Sequence, residues 1–81
     1  MILSGRQFRE GRLLTGMEQA HLAEAAGINP ALVIRAEATD DMPMLRKRDT
    51  VAIQRALEAA GVEFIPENGG GAGVRLRKVE P

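Results

Sequence analysis

The sequence contains no cysteine, tryptophan or tyrosine, and its two aromatic residues are Phe8 and Phe64. Without cysteine the chain can form neither a disulfide framework nor a thiolate metal site, and the single His21 cannot build a zinc site alone. We therefore expect no metal and no cofactor. Two phenylalanines are too few to form the aromatic surfaces on which single-stranded bases stack, so a nucleic-acid target would be a duplex.

The chain also lacks an excess of charge and a long apolar run. Eleven basic residues balance eleven acidic ones, so nucleic-acid binding would have to come from local clustering of cations. The start, MILSGRQF, has no apolar run long enough for a signal peptide or a membrane span. We therefore expect a cytoplasmic protein without membrane contact. One histidine and scattered acids build no catalytic triad or paired carboxylates, so no catalytic residues and no enzyme activity are expected.

The length and composition are those of one small globular domain. At 81 residues and 44% hydrophobic content, the chain is near the size at which a core can only just support a fold. Stabilisation by a partner subunit is therefore plausible.

Glycines and apolar spacing predict two helices in the first third of the chain. The first covers residues 4–14, and Gly16 is a plausible stop. The second lies in EQAHLAEAAG and closes at Gly27. Its start can move by one turn, because Thr15 also fits the first position of a capping box.

Asparagine and proline give the clearest helix start in the sequence. Asn29 can cap a helix that begins at Pro30 and runs to about Ala38. The stretch TDDMPMLRKR predicts a loop in which Met44 and Leu45 turn toward the core. A fourth helix is expected to begin at Asp49 as its cap and to end at Gly61, with Ile53, Ala56, Leu57 and Ala60 on one face.

After residue 61 the pattern changes from helical to β. VEFIP and VRLRKV are short β-prone runs separated by ENGGGAG, which predicts a hairpin. The glycines are not a phosphate-binding loop, because neither a helix nor a Lys-Ser/Thr pair follows them. The expected fold is mainly α: a four-helix domain over residues 1–61, followed over 62–81 by a C-terminal β-hairpin extension of the same domain.

Helices two and three are joined by the short turn AGIN, which is typical of a helix-turn-helix, although a plain αα-corner has the same pattern. Around this turn the sequence carries Arg12, Gln19, Leu22-Ala23, Ala26-Gly27 and Glu37. In these residues and their intervals, over roughly residues 6–60, the chain resembles the lambda-repressor-like DNA-binding domains, also called the XRE or Cro/cI type.

The resemblance implies roles for several side chains. Gln19 resembles the residue that hydrogen-bonds a DNA phosphate, and Arg12 and Glu37 resemble the pair that ties helix one to the end of helix three. The positions that face the major groove in the family fall on Asn29, Pro30, Ala31, Leu32 and Arg35. Of these, Asn29 and Arg35 can hydrogen-bond bases, whereas Ala31 and Leu32 can offer apolar contact to thymine methyls.

Two basic clusters could add phosphate contacts. Arg46, Lys47 and Arg48 lie between helices three and four, where the family places contacts to the DNA backbone. Arg75 and Arg77, together with Lys78, could form a wing on the hairpin. Each cluster has a plainer interpretation, a solvated loop for the first and the wet face of an edge strand for the second.

The sequence thus predicts a sequence-specific regulator of transcription that binds double-stranded DNA. The simplest version is a repressor that binds an inverted repeat as a homodimer, with Ile53, Leu57, Phe64 and Ile65 as dimerisation residues. The alternative is a protein-binding module of the same fold, such as an antitoxin or antiactivator. It would use the apolar residues Ala31, Leu32 and Ile34 on a protein partner.

Overall fold

Four helices and one antiparallel hairpin make up the part of the chain that the computed structural model describes, residues 3–66 and 71–77. The elements are α1 (Gly5–Thr15), α2 (Gln19–Ala26), α3 (Pro30–Glu37), α4 (Lys47–Ala59), β1 (Val62–Ile65) and β2 (Gly73–Leu76). The prediction of a mainly helical chain with four helices and a C-terminal hairpin is confirmed. None of these helices has the length and apolar character needed to cross a membrane.

Helix α1 begins with a reciprocal cap. The backbone N–H of Gln7 donates to Ser4 Oγ at 3.1 Å, and the backbone N–H of Ser4 donates to Gln7 Oε1 at 3.0 Å. The sequence SGRQ therefore forms a capping box, which satisfies two backbone donors that a helix start leaves open. The helix ends as expected at Gly16, whose φ of 74° is favourable for glycine.

One apolar core joins the four helices and β1, and the half-buried Val74 of β2 packs against it. Its members are Leu3, Phe8, Leu22, Ala23, Val33, Ala36, Ile53, Leu57, Val62 and Phe64. The rings of Phe8 and Phe64 meet edge to face with centroids 6.2 Å apart, so the two aromatic residues of the chain join α1 to the hairpin.

The buried side chain of Gln7 is a second link between α1 and the hairpin. Its Nε2 donates to the backbone carbonyl of Ile65 at 3.4 Å and to that of Gly73 at 3.3 Å. One amide group thus contacts both strands, while its oxygen closes the cap of α1. The hairpin packs on α1 and α4 and is part of the same folded unit as the helices.

The start of α1 lies unusually close to the end of α3. Gly5 donates its backbone N–H to the carbonyl of Asp41 at 2.8 Å. A Cβ atom at Gly5 would stand 2.1 Å from the carbonyl oxygen of Ala36 and 2.2 Å from that of Thr39. Only glycine fits here, because those two obstacles are backbone atoms.

The region before α4 differs from its prediction. The helix begins at Lys47 with Arg46 at the cap position, whereas Asp49 was expected as the cap. Asp49 lies instead within the first turn, where a negative charge interacts favourably with the helix dipole. Met44 is 91% exposed and does not turn toward the core, whereas Leu45 is half-buried against it. Gly69 and Lys78, from the predicted loop and wing, lie outside the described residues.

Candidate nucleic-acid interface

A tight turn of three residues orients α3 relative to α2. Gly27 ends α2 with a φ of 71°, and the N–H of Ile28 donates to the carbonyl of Ala23 at 3.0 Å. Ile28 packs against the core between the two helices. Asn29 then accepts a hydrogen bond from the backbone N–H of Ala31 at 2.9 Å, and Pro30 follows as the first helical residue. The local sequence therefore fixes where α3 starts and in which direction it leaves the turn.

Helix α3 buries one face and exposes the other. Val33, Ala36 and Glu37 are buried, while the exposed residues are Pro30, Ala31, Ile34, Arg35 and Ala38. Leu32, which was predicted among the outward residues, is half-buried and lines depressions shared with α4. Ile34, which is 53% exposed, is the largest apolar side chain among the exposed residues of α3. Asn29 is exposed, but its side-chain oxygen is engaged as the helix cap.

The predicted pair of Arg12 and Glu37 is present and almost enclosed. The side chains are 14% and 3% exposed, and Arg12 Nε lies 2.8 Å from Glu37 Oε2. Arg12 Nη2 donates to Oε1 of the same carboxylate at 2.9 Å, and Nη1 donates to the Met17 carbonyl at 2.8 Å. The guanidinium thus connects α1, the α1–α2 turn and the end of α3.

Gln19 belongs to the same network. Its Nε2 donates to Glu37 Oε1 at 3.3 Å, so one of its two amide hydrogens is engaged inside the protein. Within the described residues the second amide hydrogen of this half-buried residue donates to no other group, so it can serve an external acceptor. Glu37 therefore orients the side chain that was predicted to contact a DNA phosphate.

A further arginine, which no feature of the sequence predicted, holds the end of α3. Arg9 Nη1 donates to the Glu37 carbonyl at 2.7 Å, and Nη2 lies 2.5 Å from Asp40 Oδ1. The hydrogen bond and the charge of Arg9 hold the pKa of the Asp40 carboxyl below its usual range. No local motif marks Arg9, because its partners lie about thirty residues away in the chain.

The basic residues predicted before α4 lie beside α3. Arg35 from α3 and Arg46 and Arg48 from the start of α4 line one surface depression, together with Leu32, Met44, Leu45 and Asp49. Lys47 is exposed in the same helix turn. The fold therefore brings the predicted base-reading arginine and the predicted phosphate-binding arginines to one surface.

These cations differ in their pairing from four of the other arginines, although Arg55 and Arg77 also form no ion pair within the described residues. Arg6, Arg9, Arg12 and Arg75 each form an ion pair with an acid. Within residues 3–66 and 71–77, no ion pair involves Arg35, Arg46 or Lys47, and Arg48 has only a contact of 3.9 Å to Asp49. The surface at α3 and the start of α4 thus carries positive charge that the protein does not neutralise itself.

The two arginines of the predicted wing have partners of their own on the hairpin and at the end of α4. Arg75 pairs with Glu63, which stands directly opposite it in the hairpin, and Arg77 Nη2 donates to the Glu58 carbonyl at 2.9 Å. Neither residue lines the depression around Arg35. The structure does not bring these two arginines together with the basic surface at α3.

Three of the four predicted dimerisation residues are buried within the chain itself. Ile53 and Leu57 are 0% exposed, and Phe64 is 6% exposed. Their assignment to a dimer interface is wrong, because they have no surface to offer a second copy. Ile65 is half-buried on β1.

The chain matches no protein-family profile and no curated protein sequence. The case for a function therefore depends on its own residues and on their geometry.

Proposed function

We propose that this protein is a helix-turn-helix regulator of the lambda-repressor-like kind that binds double-stranded DNA, with α3 as the recognition helix. The simplest activity is repression of transcription from an inverted repeat bound by a homodimer. The observation that carries the proposal is that Arg35 and Arg46, which form no ion pair within the described residues, line one depression beside the exposed face of α3.

Unpaired cations beside an exposed helix suit duplex DNA. Arginine and lysine side chains bind phosphates and release condensed counterions, which gives affinity without sequence preference. Arg46, Lys47 and Arg48 are suited to this role because they begin α4, where backbone N–H groups also favour anions. The free amide hydrogen of Gln19, at the start of α2, would add a contact that fixes the register of the protein on the duplex.

Base reading would depend on few groups. Arg35 can donate two hydrogen bonds to guanine in the major groove, which is the commonest specific contact. Ala31 and Ile34 are exposed beside it and can contact thymine methyl groups. Asn29 retains its amide hydrogens as donors while its oxygen caps α3. We expect modest sequence discrimination, with much of the affinity coming from phosphate contacts.

A protein partner is the second candidate, and exposed apolar side chains favour it. Ile34 is 53% exposed on α3, and Met44 is 91% exposed at the rim of the basic depression. A protein-binding module, such as an antitoxin or antiactivator, would use this mixed apolar and basic surface on an acidic partner. The two functions can coexist on one fold.

Selection of bound duplexes from a random pool tests the proposal directly. We expect the selected duplexes to contain an inverted repeat and the affinity to fall as the salt concentration rises. Arg35→Ala should reduce the binding free energy by about 1–3 kcal/mol and relax the preference at one base pair. Arg6→Ala is the matched control, because it removes the same charge from an exposed α1 pair with Glu10. If Arg35→Ala retains the affinity and preference of Arg6→Ala, α3 is not the recognition helix. Recovery of a stoichiometric protein without DNA enrichment would favour the second candidate.

A further inference from the structure

A cavity of about 340 Å³ lies between the start of the described chain, the loop that joins α3 to α4, and α4 itself. Leu3 and Phe8, which belong to the buried core, close its inner side. Met42 and Leu45 of the loop and Val51 of α4 also line it. Small-molecule sites in proteins are mostly apolar cavities of roughly 300–1,000 Å³, so this one has the size and the lining of such a site.

Two apolar side chains of the cavity lie outside the core. Val51 is half-buried and is not a member of the core to which Ile53 and Leu57 of the same helix belong. Met42 is 59% exposed. A hydrocarbon bound in the cavity would remove the apolar surface of both side chains from water, which is favourable.

The wall formed by α4 carries a cation without a partner. Lys47, Thr50 and Gln54 line the cavity and lie on one side of α4, since they are three and four residues apart. Thr50 Oγ1 donates to the Lys47 carbonyl at 2.9 Å, and Gln54 Nε2 donates to Glu58 Oε2 at 3.3 Å. Within the described residues the Lys47 ammonium forms no ion pair or hydrogen bond, and no acid lines the cavity. The donor that remains for a ligand therefore carries a positive charge.

We propose that this cavity binds a small amphipathic carboxylate, with its hydrocarbon part against Met42 and Val51 and its carboxylate on Lys47. The hydrocarbon gains by leaving water, and the carboxylate accepts charge-assisted hydrogen bonds from the ammonium. Charge selects this class of ligand. A neutral apolar molecule would leave the ammonium without a partner, and a cationic one would meet a like charge.

The bound ligand would act on the basic surface at α3. Leu45 lines both the cavity and the depression that contains Arg35 and Arg46. Lys47 is also one of the cations proposed to contact DNA phosphates, and a carboxylate bound to it would neutralise that charge. We therefore expect the ligand to weaken duplex binding. This effect rests on the proposed function, whereas the ligand site itself does not.

Isothermal titration calorimetry of the chain without DNA tests the site, with octanoate as the probe. We expect octanoate to bind with a dissociation constant below about 1 mM. Octylammonium has the same tail and the opposite charge, and it should bind at least about tenfold more weakly because it meets the Lys47 charge. A weaker octanoate complex, or equal affinities for the two probes, would overturn the inference.

Three variants locate the bound molecule. Lys47→Met keeps an unbranched side chain without the charge, and it should weaken octanoate binding at least about tenfold. The matched control Arg55→Met removes an exposed charge of the same helix outside the cavity and should leave the affinity unchanged. Val51→Phe should fill the cavity and also weaken binding at least about tenfold, while urea denaturation checks that it folds. Wild-type affinity in Lys47→Met, or in a folded Val51→Phe, would contradict the proposal.

Fluorescence anisotropy with a selected duplex tests the effect on DNA binding. At saturating octanoate the duplex dissociation constant should rise at least about threefold relative to acetate at the same concentration, which controls for ionic strength. An unchanged constant would overturn this effect. A chain that binds octanoate but no duplex would contradict the proposed function alone, whereas one that binds a duplex but no octanoate would contradict the ligand site alone.

Discussion

Arg12 and Glu37 meet through parallel hydrogen bonds across the contact between α1 and the end of α3, with Arg12 Nε 2.8 Å from Oε2 and Nη2 2.9 Å from Oε1. The Glu37 side chain is 3% exposed and that of Arg12 14%, so the pair is largely shielded from water. This pair also holds Gln19 through the Glu37 carboxylate. The ion pair therefore helps to set both the orientation of α3 and the position of the proposed phosphate contact.

Removal of one member of this pair should strongly destabilise the protein. We expect Glu37→Ala to lower the free energy of unfolding by about 3–5 kcal/mol, because it leaves the largely buried Arg12 charge without an acidic partner. Urea denaturation measures the change. The control Glu10→Ala breaks the exposed pair with Arg6 and should cost less than about 1 kcal/mol. The double variant Arg12→Met, Glu37→Leu should recover much of the loss, and a double variant no more stable than Glu37→Ala would contradict this account.

The contact of Gly5 with α3 should not tolerate a side chain. Gly5→Ala would bring a Cβ within 2.1 Å of the Ala36 carbonyl oxygen, so the backbone must move, and we expect a loss of at least about 2 kcal/mol in denaturant unfolding. Gly11→Ala is the matched control in the same helix. Its Cβ would meet a movable methyl group of Val62 at 3.2 Å, and alanine gains up to about 1 kcal/mol of helix propensity. Equal losses in the two variants would show that the close approach does not limit stability.

The Asp40 carboxylate should make stability depend on pH in acid. Its pKa in the folded protein is lowered by Arg9, so the pair stabilises the fold above the ordinary carboxyl range and loses this effect as the pH falls through the lowered pKa. Between about pH 6 and pH 2, wild type should lose slightly more stability than Asp40→Asn, in which this group does not titrate. Chemical denaturation at each pH measures the difference. Parallel curves of unfolding free energy against pH for the two proteins would show that this exposed pair contributes nothing to stability.

Arg46 and Arg35 should differ in how their loss affects DNA binding. Arg46→Ala is expected to weaken binding to every duplex by a similar factor and to reduce the salt dependence by about one phosphate contact. The selected sequence should not change. Fluorescence anisotropy over a series of salt concentrations measures both effects, with Arg6→Ala as the charge-matched control. A changed sequence preference in Arg46→Ala would assign it to base reading instead.

Local signals in the sequence were sufficient to predict the elements of the fold. Gly16 and Gly27 end helices as expected, and the Asn29-Pro30 pair starts α3. The predicted start of α4 was wrong because Asp49 is a favourable residue at the cap position. A negative charge is also favourable inside the first turn, which is where Asp49 lies, and sequence alone does not distinguish these two positions. The capping box of Ser4 and Gln7 could have been found from the spacing in SGRQ.

Contacts between distant residues could not be predicted in the same way. Apolar periodicity placed Ile53 and Leu57 on one face of α4 but could not tell a core from a dimer interface, and both belong to the core. Arg9 carries no local pattern that distinguishes its role from that of Arg6 on the same helix. The Arg12–Glu37 pair was anticipated only because the family resemblance supplied it, not because spacing did.

The bridge from Gln7 to the two strands has a consequence for how the chain folds during synthesis. The amide of Gln7 finds its carbonyl partners 58 and 66 positions later in the sequence. Until β1 has been made, Phe8 has no Phe64 to pack against, and until β2 has been made, the Gln7 amide lacks the second of its two carbonyl partners. A nascent chain that stops after α4 would therefore present an incomplete core to solvent and to chaperones, and its helices would be stable only once β2 has left the ribosome.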